Sequence, residues 1–266
     1  MGRKGDTAKM AFVGLEIKSK IATVTLNRPE VHNALSLEMI SELTKIFTEL
    51  DKDKNVRVIV FQAEGKSFCA GADLNYMKSM INALYEENLK DAEKLGLVFK
   101  TIYDCSKPII ARVQGSAFGG GVGLISVCDI AVAKEDALFA LSETRIGLVP
   151  GVISPFVIQK TGFANASRYF LTSERFNANK AKEIGLVSEV VKDDNDLDKK
   201  INELTFTILQ NGPLAVSACK KLIRDVVDRE INDALNVSKE YIAKCRMNSE
   251  GQEGMKAFFE KRKPNW

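Results

Sequence analysis

Three consecutive glycines, Gly119 to Gly121, sit inside the longest uncharged run of the chain, Val113 to Cys128, and constrain its fold more than any other feature. An apolar, strand-like run, Pro108 to Val113, leads into them, and an apolar segment that reads as a buried helix, Gly121 to Val127, follows. A helix start leaves its first N–H groups without partners, and glycine lets another atom approach them closely. Such a place suits an anionic or polarised oxygen, although close packing of a helix also explains the glycines. Some twenty residues on, Glu143 stands between Phe139-Ala140-Leu141 and Ile146 to Val149. Desolvation in such surroundings raises a carboxyl pKa toward values useful for acid/base work. An acid beside Arg145 at a segment edge is also read as solvated and paired.

With 266 residues, 45% of them hydrophobic and 27% charged, the chain is long enough for one large α/β domain or one domain with a helical appendage. Its 38 basic and 35 acidic residues are spread along the sequence, so no electrostatic footprint points to nucleic acid. Cys69, Cys105, Cys128, Cys219 and Cys245 are odd in number and lack CxxC spacing, which argues against disulfides and a zinc site. The N-terminal MGRKGDTAKMAF has no apolar core of a signal peptide, and Asp6 stands where myristoylation wants Ser or Thr. The run from Val113 to Cys128 is too short and too rich in glycine to span a bilayer. The expectation is a soluble cytoplasmic protein with no membrane partner.

In chain order, Phe12–Ile17 and Ile21–Leu26 read as a β-hairpin. Ser36 caps a helix whose apolar stripe is Ile40, Leu43, Phe47 and Leu50. A strand over Val56–Phe61 and a loop from Gln62 to Asp73 follow, then a further helical region, with a helical and mixed pattern from Leu84 to Tyr103. The continuous apolarity of Pro108–Val113 predicts a strand covered on both faces. Further strands are expected at Asp129–Ala133, Leu138–Leu141 and near Leu186–Val191, with helices at Phe156–Lys160 and Ala164–Leu171. From Leu197 to Lys261 the spacing predicts three or four amphipathic helices, one opening at Gly212-Pro213. The change from mixed α/β to all-α places a boundary at the Asp193–Asp196 run, read as a hinge.

Several chemistries drop out. A dinucleotide fingerprint after Gly119 and Gly121 would need glycine at Leu124, and no GxxxxGK[ST] loop exists. The single histidine, His32, lies in a polar turn and removes Ser-His-Asp schemes and histidine metal sites. A second small-residue loop, Cys69-Ala70-Gly71-Ala72-Asp73-Leu74, ends the strand VRVIVF. Two such loops at neighbouring strand ends can aim two N–H donors at one carbonyl oxygen, an oxyanion hole.

Asn27-Arg28-Pro29-Glu30 with Asn33-Ala34-Leu35, then CAGADL, FGGGVGL with CDI, SETRIGLVPG and AFFEKRKP follow one another in this order. Together they resemble the enoyl-CoA hydratase/isomerase (crotonase) superfamily over nearly the whole chain. The resemblance implies an α/β spiral of ββα units over residues 1–196, with a C-terminal α-helical trimerisation region over 197–266. It implies homotrimers or dimers of trimers, and an acyl-CoA substrate that brings coenzyme A with it, without a separate cofactor or metal. By the same resemblance, Ala72 and Gly120 donate N–H groups to the thioester oxygen and Glu143 is the catalytic acid/base. Ala70 and Leu74 match backbone positions lining the adenine pocket, and Arg28 and Lys261 match basic positions near the phosphates, Lys261 reaching from a neighbouring subunit.

Where the two-glutamate hydratases of that family carry their second acid, this chain has Gly123. A one-glutamate mechanism is left, of a kind the family's isomerases also use. Details of CAGADLNYM, QGSAFGGGVGL and SETRIGLVPGVISPF are similar to bacterial methylglutaconyl-CoA hydratases and to hydratases of branched terpenoid acids. The leading expectation is therefore a hydro-lyase acting on a branched or carboxylated 2-enoyl-CoA. A double-bond isomerase and a non-catalytic acyl-CoA-binding trimer are the alternatives.

Overall fold

The computed structural model describes residues 12–266; the N-terminal segment read for targeting signals lies outside them. The hairpin forms as expected: β1 (Val13–Lys18) pairs antiparallel with β2 (Ile21–Leu26), Val13 opposite Leu26. Its turn residues, Ser19 and Lys20, have φ of 50° and 68°, the conformation a two-residue hairpin loop requires. Along β2 every second residue is buried, so one face joins the core. Ser36 caps α1 (Leu37–Lys52), its hydroxyl accepting from Met39 N–H at 3.3 Å. The buried stripe Met39, Ile40, Leu43, Ile46, Phe47 and Leu50 turns α1 onto the sheet.

From here the chain repeats one unit. A strand joins the larger sheet, the next joins a smaller sheet, and helix follows. The first turn is β3 (Val58–Ala63), β4 (Ser67–Cys69), α2 (Leu74–Ser79) and α3 (Tyr85–Asp104). The second is β5 (Ile109–Val113), β6 (Ser116–Phe118) and α4 (Gly120–Ser126); the third is β7 (Ile130–Lys134), β8 (Leu138–Ala140), α5 (Ser154–Thr161) and α6 (Phe163–Thr172). β9 (Phe176–Asn177), α7 (Ala178–Glu183) and β10 (Glu189–Val191) close the series. The larger sheet has the order β1-β2-β3-β5-β7-β10, parallel from β2 onward, and the smaller has β4-β6-β8-β9. This is the ββα spiral.

Two expectations about single elements are corrected. β3 starts at Val58 rather than Val56 and runs on to Ala63. The stretch expected as a plain loop, Gln62 to Asp73, holds β4, and β6 precedes the glycines. Both strands are three residues long, too short to show alternation.

β5 is covered on both faces, as its apolarity predicts. Ile109, Ala111 and Val113 point into the main core, whereas Ile110 joins Val58, Val60 and Val132 in a second cluster on the other face. That second face is closed by Leu197 and Ile201 of α8 (Asp194–Gln210). The acidic run read as a hinge is therefore the start of this helix. Asp193 caps it by accepting from Asp196 N–H at 3.0 Å, Asp194 pairs with Lys134 at 3.0 Å, and Asp198 pairs with Arg112 at 2.7 Å. Carboxylates gather there because a helix N-terminus presents unpaired N–H groups. The expected boundary at 196/197 falls inside α8.

α9 (Pro213–Val226), α10 (Ile231–Met247) and α11 (Ser249–Phe259) complete the chain. α9 opens at Gly212-Pro213 as predicted, and the Glu250 carboxylate of α11 accepts from Leu214 and Ala215 N–H at 2.9 and 2.8 Å. Lys220 and Arg224 of α9 fasten it to the core through Asp129, at 2.6 and 3.2 Å, at the start of β7. Among the described residues, no helix is long and apolar enough to cross a membrane.

Candidate active site

The site is built where the first two turns of the spiral meet. The loop after β4 is strapped to the loop before α1: Leu35 N–H donates to Gly71 O at 2.7 Å, and Asp73 N–H donates to Leu35 O at 3.0 Å. These bonds flank Ala72 and leave its own N–H free; among the described residues no group accepts from it. Asn33, fully buried, ties the segment before α1 to the turn between β3 and β4 and to the first residue of β4. Its amide donates to Glu64 O at 2.8 Å and Ser67 O at 2.9 Å, and its oxygen accepts from Arg28 N–H at 2.8 Å. In the sequence Asn33 stands out only as part of the Asn33-Ala34-Leu35 motif. A polar residue between a proline turn and an apolar pair is the local signal that marks it.

The glycine turn lies against this loop. A Cβ placed on Gly71 would come within 3.6 Å of Gly120 N, so the two segments touch backbone to backbone. One on Gly121 would overlap the carbonyl oxygen of Cys69, which is why the approach needs glycine. Gly120 is the first residue of α4, and its N–H has no acceptor among the described residues. Around it the wall is apolar: a Cβ on Gly120 would meet Leu35 Cδ1 at 3.1 Å and Phe99 Cζ at 3.9 Å.

Glu143 opens a 3-10 turn, Glu143–Ile146, just after β8. The turn is pinned to α6 by its neighbours, Thr144 Oγ1 donating to Phe170 O at 3.1 Å and Arg145 Nη2 to Ser173 O at 2.7 Å. Arg145 thus serves Ser173 and makes no pair with Glu143. The Glu143 carboxyl instead rests on the glycine turn: a Cβ on Gly119 would stand 2.9 Å from Oε1 and 3.8 Å from Oε2. Gly119 has φ 49° and ψ −116°, a backbone that only glycine adopts readily. Oε2 is buried and has no hydrogen-bond partner, and burial raises the carboxyl pKa against a smaller lowering by a backbone hydrogen bond.

The other expected residues lie at different distances from this centre. Ala70 and Leu74 are exposed beside it, Leu74 80% exposed at the first position of α2. Arg28 supports the architecture: it pairs with buried Asp73 at 2.9 Å, donates to Ala34 O at 2.8 Å and stacks on Phe12. Its side chain is 14% exposed, so its charge is spent on Asp73 rather than offered to a phosphate. Lys261 follows α11 and is exposed; α11 packs on α9 and α10. Cys69 beside the site is no nucleophile, since burial pushes its thiol up to about 12. Among the described residues no three His, Cys, Asp or Glu side chains gather into a metal site.

Free N–H groups on adjoining segments, with a desolvated carboxyl resting one residue away, can polarise a carbonyl and move a proton beside it. Known proteins share the arrangement's frame. The family model described as enoyl-CoA hydratase/isomerase matches residues 16–266. A short-chain-enoyl-CoA hydratase of Clostridium acetobutylicum is 33% identical over 94% of this chain and 95% of its own. A peroxisomal Delta(3,5)-Delta(2,4)-dienoyl-CoA isomerase of Arabidopsis thaliana is 32% identical, covering 93% of each. The crystal structure of an enoyl-CoA hydratase from Shewanella pealeana superposes with a TM-score of 0.93 at 38% identity, covering 97% of both chains.

Proposed function

Since the chain belongs to the enoyl-CoA hydratase/isomerase family, we propose that it hydrates a 2-enoyl-CoA thioester with Glu143 as its one catalytic carboxyl. The observation that carries this reading is the Glu143 carboxyl lying on Gly119 with its inner oxygen unpartnered, next to the free N–H of Gly120. Ala72 N–H and Gly120 N–H donate to the thioester oxygen. Glu143 takes a proton from water as the hydroxyl adds at Cβ, and the electrons of the double bond move onto that oxygen as an enolate. The same carboxyl then delivers the proton to Cα, and the enolate collapses to the 3-hydroxyacyl thioester. Each donor of this kind contributes about 2.7–4 kcal/mol to such a transition state.

Motif similarity supports a branched acyl group of the methylglutaconyl type. A carboxylated one would need a cation, and both Arg28 and Arg145 are already engaged. The second reading is a double-bond isomerase, in which Glu143 removes a proton from C2 of a 3-enoyl thioester and returns it at C4. Gly123 favours it by leaving α4 without an acid. By the motif resemblance we assign the backbone of Ala70 and Leu74 to the adenine and Lys261 to a phosphate of a neighbouring subunit's ligand. Assembly as a trimer or dimer of trimers is supported by apolar side chains on the C-terminal helices, with Ile223 66%, Leu235 59% and Phe258 78% exposed.

A spectrophotometric panel of 2-enoyl and 3-enoyl thioesters tests the activity. Loss of the conjugated band is hydration, its appearance from a 3-enoyl substrate is isomerisation, and neither leaves only a binder.

A further inference from the structure

Gly123 lies one turn beyond Gly119 on α4, its N–H donating to Gly119 O at 3.1 Å. It therefore stands beside the backbone on which the Glu143 carboxyl rests. The space in front of it is full. A Cβ added at Gly123 would overlap Ile153 Cγ2 outright and lie 3.0 Å from both Ile153 Cβ and Phe99 Cε1. Ile153 is 2% exposed and sits at the start of α5, while Phe99 is fully buried on α3. Neither can swing into solvent to make room.

We infer that Ile153, backed by Phe99, is the residue that holds this site to a single carboxyl and so sets which proton transfers it can perform. The inference rests on the hydration reading above. Ile153 is a positioning residue: it acts by occupying the volume a second acidic side chain would need. Every proton in turnover then passes through Glu143, which must start deprotonated to take one from water. Its acid limb reports a single ionisation. A pair of carboxyls held in opposite protonation states gives two, belonging to the pair.

The steric half is tested by thermal melts, independently of catalysis. Gly123→Ala is expected to lower Tm by several degrees with Ile153 present and by clearly less in an Ile153→Ala background, which removes the overlapping Cγ2 and keeps the two contacts at 3.0 Å. The catalytic half compares Gly123→Glu, Ile153→Ala and the two combined, with crotonyl-CoA and across pH. The combined variant is expected to show a second ionisation in kcat, and to retain at least about tenfold more activity than Ile153→Ala when both also carry Glu143→Gln. Gly123→Glu alone is expected to show neither effect.

Three results would overturn the assignment. One is wild-type stability of Gly123→Ala with Ile153 in place. Another is a second ionisation in Gly123→Glu alone. The third is a folded combined variant that keeps one ionisation and gives no rescue. A wild-type enzyme inert toward every enoyl thioester would sink the hydration and isomerisation readings, while the melts alone would still decide whether Ile153 fills the space.

Discussion

Replacing Glu143 by glutamine keeps the side chain's shape, so the amide still fits on the Gly119 backbone, where a Cβ would stand 2.9 Å from Oε1. What disappears is the group that accepts and returns a proton. A positioned acid/base contributes about 10²–10⁴-fold, or roughly 2.7–5.4 kcal/mol of barrier at 1.36 kcal/mol per decade. Both N–H donors remain, so the loss is expected in kcat with KM little changed. Steady-state decay of the conjugated enoyl thioester band, followed from acid to neutral pH, reads both quantities. Wild-type activity is expected to rise through a Glu143 pKa lifted above the usual carboxyl value by burial, and the variant is expected to lack that limb. A loss below about tenfold, or an acid limb that survives the substitution, refutes the role given to this carboxyl.

Stability is expected to move the other way. With its folded pKa above its unfolded one, Glu143 holds a proton in the native state that the unfolded chain releases first. Native stability therefore falls as pH rises from the ordinary carboxyl range through the raised value, and the cost persists at neutral pH. The glutamine variant should lack this slope, with urea midpoints at pH 7 and in acid as the check. Asp129→Ala leaves Lys220 and Arg224 without their shared carboxylate. A stability loss of about 3 kcal/mol is expected, the low end for a broken buried pair because the carboxylate is 23% exposed, with urea unfolding as the measure. Asn33→Ala orphans the carbonyl of Glu64 and the N–H of Arg28 at the base of the segment that straps the Ala72 loop, while Ser67 O keeps its bond from Gln114. Chemical denaturation should show a loss of about 2–4 kcal/mol, and kcat should fall as the Ala72 N–H drifts. Lys261→Ala is expected to raise KM for coenzyme A thioesters several-fold at unchanged kcat, and unchanged KM removes Lys261 from the ligand.

Local signals carried a good part of this reading. The Ser36 cap, the hairpin turn and the Gly212-Pro213 helix start act within a few residues, so composition at those positions is enough. The acidic run at Asp193 misled because the same residues suit a solvated linker and a helix N-terminus. Only the packing of Leu197 and Ile201 on the sheet separates the two. Arg28 misled for a related reason: a basic residue near a ligand loop reads as a phosphate contact until its partner, Asp73, is in place.

The sequence by itself determined the order of motifs, the two small-residue loops, Glu143 and the glycine at position 123, because each is a property of residue type at a position. Tertiary structure alone decided that the Glu143 carboxyl lies on Gly119, that Leu35 straps the Ala72 loop, and that Ile153 and Phe99 fill the space before Gly123. Those groups come from chain segments far apart in sequence. Which of them share a volume is settled by how helices and strands pack, and no local propensity records it.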